Sequence, residues 1–188
     1  MQEEGRLAQD ARAGSGEAFA KLYEMYFDRV FRYVLVRVGN PAEAEDLAGD
    51  VFIRAYESLK SYQWRGVPFS AWLFRIAHNR IVDHLRKEGG KEPVYLDGPI
   101  GLEGEDPHEQ AVLSINVEET KRAMAELTDA QRHVIALRFA SGLSIAETAR
   151  AMQKNEGAIK ALQHSAVRAL RRVMERRGVL GQIQAKDA

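Results

Sequence analysis

LTDAQRHVIALRFASGLSIAETARAMQKNEGAIKALQHSAVRALRRVMERR, residues 127–177, decides the fold, because three helix starts succeed one another in it. Thr128 with Gln131 three residues on is a capping box, in which each side chain satisfies the other's free backbone amide. It opens a helix over Asp129–Ala140. Ser144 with Glu147 repeats the device and opens Ile145–Met152. Asn155 is a good N-cap for a long basic helix that runs towards Gly178. Between the first two helices lies Ser141-Gly142-Leu143, where Gly142 can take the left-handed conformation that ends a helix. Gln153-Lys154 leaves room only for a tight turn. A short helix, a tight turn and a basic second helix make the helix-turn-helix pattern of a DNA reader.

Upstream, similar signals divide the chain. Glu17 to Val38 sets Phe19, Leu22, Tyr23, Tyr26, Val30, Tyr33, Val34 and Val38 at helical spacing and stops at Gly39. Asn40-Pro41-Ala42-Glu43 supplies a cap, a proline at the first helical position and an acid at the third. The helix it starts runs to about Leu59 and turns Leu47, Val51, Ala55 and Leu59 to one side. Residues 60–67 form a polar loop, and Pro68 opens a third helix from Phe69 to about Lys87, stopped by Gly89-Gly90. Asp106-Pro107-His108-Glu109 starts a further helix leading through Val112, Ile115, Val117 and Met124. β-Branched residues fall at helical spacings, so no strand is expected. The expectation is an all-α chain of two small helical domains, residues 15–88 and 107–178, joined by a flexible acidic linker at 89–106. Residues 1–14 are expected to fray and 179–188 to form a tail.

Composition narrows the function. The chain has no cysteine, which excludes disulfides, thiolate zinc sites and a cysteine nucleophile and favours a reducing compartment. The N-terminus lacks the order of a signal peptide and no apolar run has membrane-spanning length, so a cytoplasmic protein without membrane insertion is expected. The net charge is zero, but the average hides segregation. Glu88 to Glu119 holds nine acids against Lys91 alone, whereas Arg150 to Arg177 holds eight bases against Glu156 and Glu175. Blocks of opposite sign suggest two surfaces with different partners.

Two stretches carry side chains suited to nucleic acid. In the last helix Lys160, Ala161, His164 and Arg168 fall on one side; Lys and His can donate to guanine, and Ala161 permits close approach to a thymine methyl. Arg171, Arg172 and Arg176 suit phosphates. In the other stretch, Tyr62, Trp64 and Arg65 lead into a helix bearing Arg75, His78, Asn79, Arg80 and Arg86. Aromatics interleaved with bases suit single-stranded DNA, and an Asn amide suits the edge of an unstacked base. Tyr62 and Trp64 also have a plainer reading as satellite core residues.

With these residues in view, the sequence resembles a bacterial extracytoplasmic-function (group 4) sigma factor of the sigma-70 family. The resemblance rests on Ala44-Glu45-Asp46-Leu47-Ala48-Gly49-Asp50-Val51-Phe52-Ile53-Arg54-Ala55-Tyr56 and on Pro68-Phe69-Ser70-Ala71-Trp72-Leu73-Phe74-Arg75-Ile76-Ala77-His78-Asn79. In the C-terminal half it rests on Leu127-Thr128-Asp129-Ala130-Gln131-Arg132, Gly142-Leu143-Ser144-Ile145-Ala146-Glu147-Thr148-Ala149 and Glu156-Gly157-Ala158-Ile159-Lys160-Ala161-Leu162. It implies a promoter-specificity subunit with core RNA polymerase (largest-subunit coiled coil and flap) and promoter DNA as partners, and an anti-sigma factor as regulator. Asp46, Leu47, Asp50, Val51 and Arg54 would dock on the coiled coil, although Leu47 and Val51 also have a plainer reading as core residues. The loop 61–67 and the helix through Asn79 would capture a flipped base of the −10 element. Lys160, Ala161, His164 and Ser165 would read the −35 duplex, and the acidic linker would thread towards the polymerase active site. Gly49 stands where the family often has a polar residue, and Leu162, Gln163 and Ser165 stand where arginines are common.

Two other classes fit less of the chain. A helix-turn-helix repressor or activator with a dimerising or ligand-binding N-terminal domain explains residues 127–177 equally well, but not the aromatic-basic loop or the acidic linker. An enzyme fits worse: His78 and His84 lie about 240° apart on a helix, and there is no phosphate loop, His-Glu-x-x-His pair or nucleophile elbow. No catalytic residue, metal or cofactor is expected.

Overall fold

A computed structural model of the chain describes residues 2–62, 67–87 and 122–177; the acidic linker and the helix expected from Asp106 through Met124, except for its last residues from 122 on, lie outside them, as does the tail. All regular elements among the described residues are helices, without strands, as an all-α chain requires. None of these helices is long and apolar enough to cross a membrane.

The N-terminus departs from expectation. Residues 2–12 do not fray but form α1, Gln2–Arg12, which packs on the next helix through Ala8 and Ala11. Small side chains let the two backbones approach, and ordering comes from that tertiary burial. Ser15 then caps α2, Gly16–Val38, its hydroxyl accepting from the Ala18 amide at 3.2 Å. Gly39, at φ +81°, closes α2 in the left-handed conformation that glycine adopts without a Cβ clash. Asn40 caps α3, Pro41–Ser58, by accepting from Ala42 and Glu43. A 3-10 turn, Leu59–Ser61, precedes α4, Phe69–Lys87. Leu22, Val30, Tyr33 and Val34 of α2 meet Val51 of α3 and Phe69, Leu73, Phe74 and Ile81 of α4 in the core.

The start of α4 is held from a distance. Glu4 of α1, buried, accepts the Ser70 amide at 2.8 Å. An acid there satisfies a free first-turn amide and meets the positive end of the helix dipole.

In the C-terminal half both capping boxes form as read. Thr128 and Gln131 open α5, Asp129–Ile135; Ser144 and Glu147 open α6, Ile145–Ala151; Asn155 accepts the Ala158 amide at 2.7 Å to open α7, Glu156–Arg176. The stretch expected to be regular helix to Ala140 widens into a π-turn over Ala136–Ala140, closed by the Ser141 amide on the Ala136 carbonyl at 3.1 Å. The turn between α6 and α7 places Gln153 at φ +54°, a region non-glycine residues rarely occupy.

The two halves pack together. Arg37 of α2 reaches Asp129 of α5 at 2.5 Å. Arg29 Nε donates to the Ser141 carbonyl at 2.8 Å, and the Ser141 hydroxyl donates to the Arg29 carbonyl at 3.2 Å. Ser70 of α4 donates its hydroxyl to Glu147 of α6 at 2.9 Å. Ala136, Leu137, Leu143 and Ala151 join the core of the first half rather than that of the second.

Candidate nucleic-acid interface

On α7 the buried residues Ile159, Ala166 and Val173 repeat every seven positions and anchor one side of the helix. That leaves Lys160, Ala161, His164, Ser165 and Arg168 exposed on the side away from the core. Gln131 of α5 donates to the Ser165 hydroxyl at 3.2 Å, which ties the reading face to the helix in front of it. At the far end the arginines are partly committed: Arg171 pairs with Glu175 at 2.8 Å, and Arg176 and Arg177 both reach Glu126.

On α4, Arg75 and Asn79 are exposed and His78 is half-buried. They form one wall of a cleft of about 610 Å³; Asp129, Ala130 and His133 of α5 and Ala151 to Lys154 form the other. The His78 and His133 rings stack with centroids 4.0 Å apart and 4° between their planes. The Tyr33 hydroxyl lies 3.5 Å from His78 Nδ1. Burial, then the positive fields of His78 and Arg37, push His133 down to about 2. Burial and Arg37 also lower His78, with Asp129 opposing them. Both shifts favour the uncharged ring. Glu147 shows the opposite balance: burial raises it, but hydrogen bonds from Ser144 and Ser70 outweigh burial and bring it below the ordinary carboxyl value.

Arg86, at the end of α4, is exposed and pairs with Asp83 at 3.0 Å. Trp64 and Arg65 lie outside the described residues. Tyr62 corrects its expected role as a stacking platform. It is 3% exposed, wedged between Phe69 and Trp72, with its hydroxyl donated to the Val67 carbonyl at 3.0 Å. The plainer core reading holds for it, and its service is to brace the start of α4.

On α3 the docking candidates split. Asp46 and Arg54 are exposed, and Asp50 forms an ion pair with Arg80 of α4. Leu47 and Val51, 7% and 0% exposed, are core residues and do not present side chains to a partner, a second correction. Their four-residue spacing put them on the apolar stripe, which is where a helix meets its own domain. The surface instead carries Ile53 and Tyr56, each 59% exposed, which the sequence reading did not single out. Their signal was there: Ile53 lies three positions beyond Asp50 and Tyr56 three beyond Ile53, one turn apart on the polar face. Tyr56 continues into an aromatic row through Phe19, and Tyr23, Phe52 and Phe27 form another beside it.

Residues 22–90 match the family described as Sigma-70 region 2, and residues 123–172 the family described as Sigma-70, region 4. The chain is 41% identical over 170 residues to the ECF RNA polymerase sigma factor BldN of Streptomyces coelicolor, covering 89% of this chain but 64% of that one. It is 33% identical over 173 residues to the ECF RNA polymerase sigma factor SigW of Bacillus subtilis, covering 86% and 91%. Among solved structures, the sigma factor RpoE from Bartonella quintana, crystallised with the anti-sigma factor NepR, superposes with a TM-score of 0.63 at 23% identity, covering 84% and 96%. At that identity the likeness is one of fold.

Proposed function

The chain belongs to the extracytoplasmic-function sigma factors of bacterial RNA polymerase, and on that premise we propose how its surfaces divide the work of promoter-specific initiation. The exposed face of α7 reads the −35 duplex: Lys160 and His164 donate to base acceptors, Ala161 admits close approach, Ser165 adds a hydroxyl and Arg168 holds phosphate. The α4 wall of Arg75, His78 and Asn79 takes the melted −10 strand, with the Asn79 amide on the edge of a flipped base and Arg86, with Arg65 and Trp64 of the preceding loop, tracking the strand. Asp46, Asp50 and Arg54 of α3 dock on the largest-subunit coiled coil of core polymerase, with Leu47 and Val51 holding the helix in place from the core.

The observation that carries this reading is the separation of two exposed polar faces, one on α7 and one on α4, within a chain matching both sigma regions in order. A repressor needs the first face only. The reaction served is the polymerase's own; the chain contributes recognition and strand capture in the bacterial cytoplasm, without catalysis by its own side chains. An anti-sigma protein is the regulator this family membership implies, and any thiol sensing would reside in that partner, since this chain has no cysteine.

The test is co-purification with bacterial core polymerase and then run-off transcription from a promoter library. Stable assembly with transcription from a restricted promoter set is the expected result, and it supplies the −35 and −10 sequences together. Tight duplex binding by the chain alone, with no polymerase binding, transfers the case to a repressor.

A further inference from the structure

The hydrogen-bonding sense of Ser165 is set from another helix. A serine hydroxyl carries one proton and two lone pairs, so on its own it pairs with either kind of base edge. Ser165 does not keep that freedom. Gln131 of α5 donates through Nε2 to the Ser165 hydroxyl oxygen at 3.2 Å. The carbonyl of the same side-chain amide accepts the Thr128 backbone N–H at 3.1 Å, as half of the capping box. A backbone N–H can only donate, so the cap settles which end of the Gln131 amide turns to Ser165: it is the NH2 end.

That bond uses a lone pair of Ser165 and leaves its proton uncommitted. The proton is not spent within α7 either. Ser58 on α3 donates its hydroxyl to the carbonyl four residues back, at Arg54, but Ser165 makes no such bond among the described residues. Ser165 is exposed beside His164, so its O–H is free to point outwards. Gln163 by contrast is turned in, its carbonyl accepting from Arg138 Nε at 2.9 Å.

We propose that Gln131 is a positioning residue for −35 recognition: it holds Ser165 as a hydrogen-bond donor, so that the base Ser165 meets is guanine rather than cytosine. In the major groove guanine offers two acceptors, O6 and N7, whereas cytosine offers only the N4 amino donor. The inference rests on the duplex-reading role of α7 under Proposed function.

Gln131→Glu reverses the sense and keeps the cap, because glutamate serves equally at the third position of a capping box. Its carboxylate has no proton to give; it takes the Ser165 proton and leaves only lone pairs facing out. The added charge opposes phosphate at every site alike and selects no base. Full-length chains are assembled with core polymerase on templates with randomised −35 elements, and the transcribed templates are sequenced. The position whose selection is lost with Ser165→Ala is the contacted base. There the unsubstituted chain should favour guanine over cytosine about fivefold, equivalent to about 1 kcal/mol, and Gln131→Glu should favour cytosine by a similar factor. Selection at the other positions should stand. Adding Ser165→Ala to Gln131→Glu should erase the reversal; a reversal that persists makes residue 131 the reader and overturns the proposal. So does an unchanged guanine preference in Gln131→Glu, an equal weakening at all positions, or a Ser165→Ala variant that alters none. Should Gln131→Glu fail to assemble with polymerase, Gln131→Met, which removes the donor, must flatten the guanine–cytosine preference, and a retained preference overturns the proposal equally. Failure at this one base, with the rest of the −35 selection intact, discards the positioning and keeps α7 as the reader. A polymerase-bound chain with no −35 selection at all discards the α7 reading and the inference with it.

Discussion

Asn79 and His78 are neighbours on α4 with different duties, and single substitutions separate them. Asn79→Ala removes an exposed amide that props up nothing in the fold. It should reduce strand opening, read by permanganate reactivity, by about five- to 150-fold, as expected for about 1–3 kcal/mol of base discrimination, while polymerase binding stays intact. Loss of polymerase binding would refute the base-capture role. Lys160→Ala tests the other face. A base contact predicts a loss of about 1–3 kcal/mol confined to the preferred −35 sequence, measured by competition between duplexes; an equal loss on every duplex would make Lys160 a phosphate contact. At this scale exposure was readable where polar residues share one side of a helix, as on α7. It misled wherever a motif position is also a core position: Leu47, Val51 and Tyr62 belong to conspicuous strings of residues, yet burial decides what each touches.

Helix starts were the most legible elements, because a cap is a local device. Asn40, Thr128, Ser144 and Asn155 each accept the backbone amides their side-chain chemistry predicts. α1 was missed for the converse reason. Its stripe is Leu7, Ala8 and Ala11, too small to register as a period, and it is ordered by what it packs on. The start of α4 was equally hidden, since its acceptor arrives from 66 residues upstream. Glu4→Ala should therefore cost about 1–2 kcal/mol, because the Ser70 amide is left buried without a partner. Thermal unfolding monitored by circular dichroism checks it, and an unchanged melting temperature would show that α4 does not need this cap.

The association of the two domains left one trace in the sequence. Arg37 continues the stripe of Tyr26, Val30, Tyr33 and Val34, where an apolar residue is expected, and it is buried because Asp129 meets it from 92 positions away. No local rule predicts that meeting, so the sequence reading produced two separate domains. The packing of the two halves should also respond to acid. Facing the His78–His133 pair are Tyr33 and Arg37 from α2, Asp129 from α5, and Arg75 and Lys154 across the cleft. With His133 held down to about 2 while the domains pack and near its ordinary value of about 6.5 once unfolding exposes it, the unfolded chain takes up a proton first. The stability that this packing contributes is thus at full strength above about pH 6.5 and is lost progressively as pH falls towards 2. The thermal unfolding midpoint should drop from pH 7.5 to 5.5, and His133→Phe, which keeps a ring without a proton site, should flatten that response. The π-turn at Ala136–Ala140 bears on descent. Such a turn holds one residue more than an α-turn; here it brings Ser141 against Arg29 and leaves Phe139 60% exposed. Deleting Ala140 should restore regular helix, rotate the downstream chain by about 100° and pull Ser141 off Arg29. In lineages, a gap of one residue between the two capping boxes would then mark the chains that have lost this clasp.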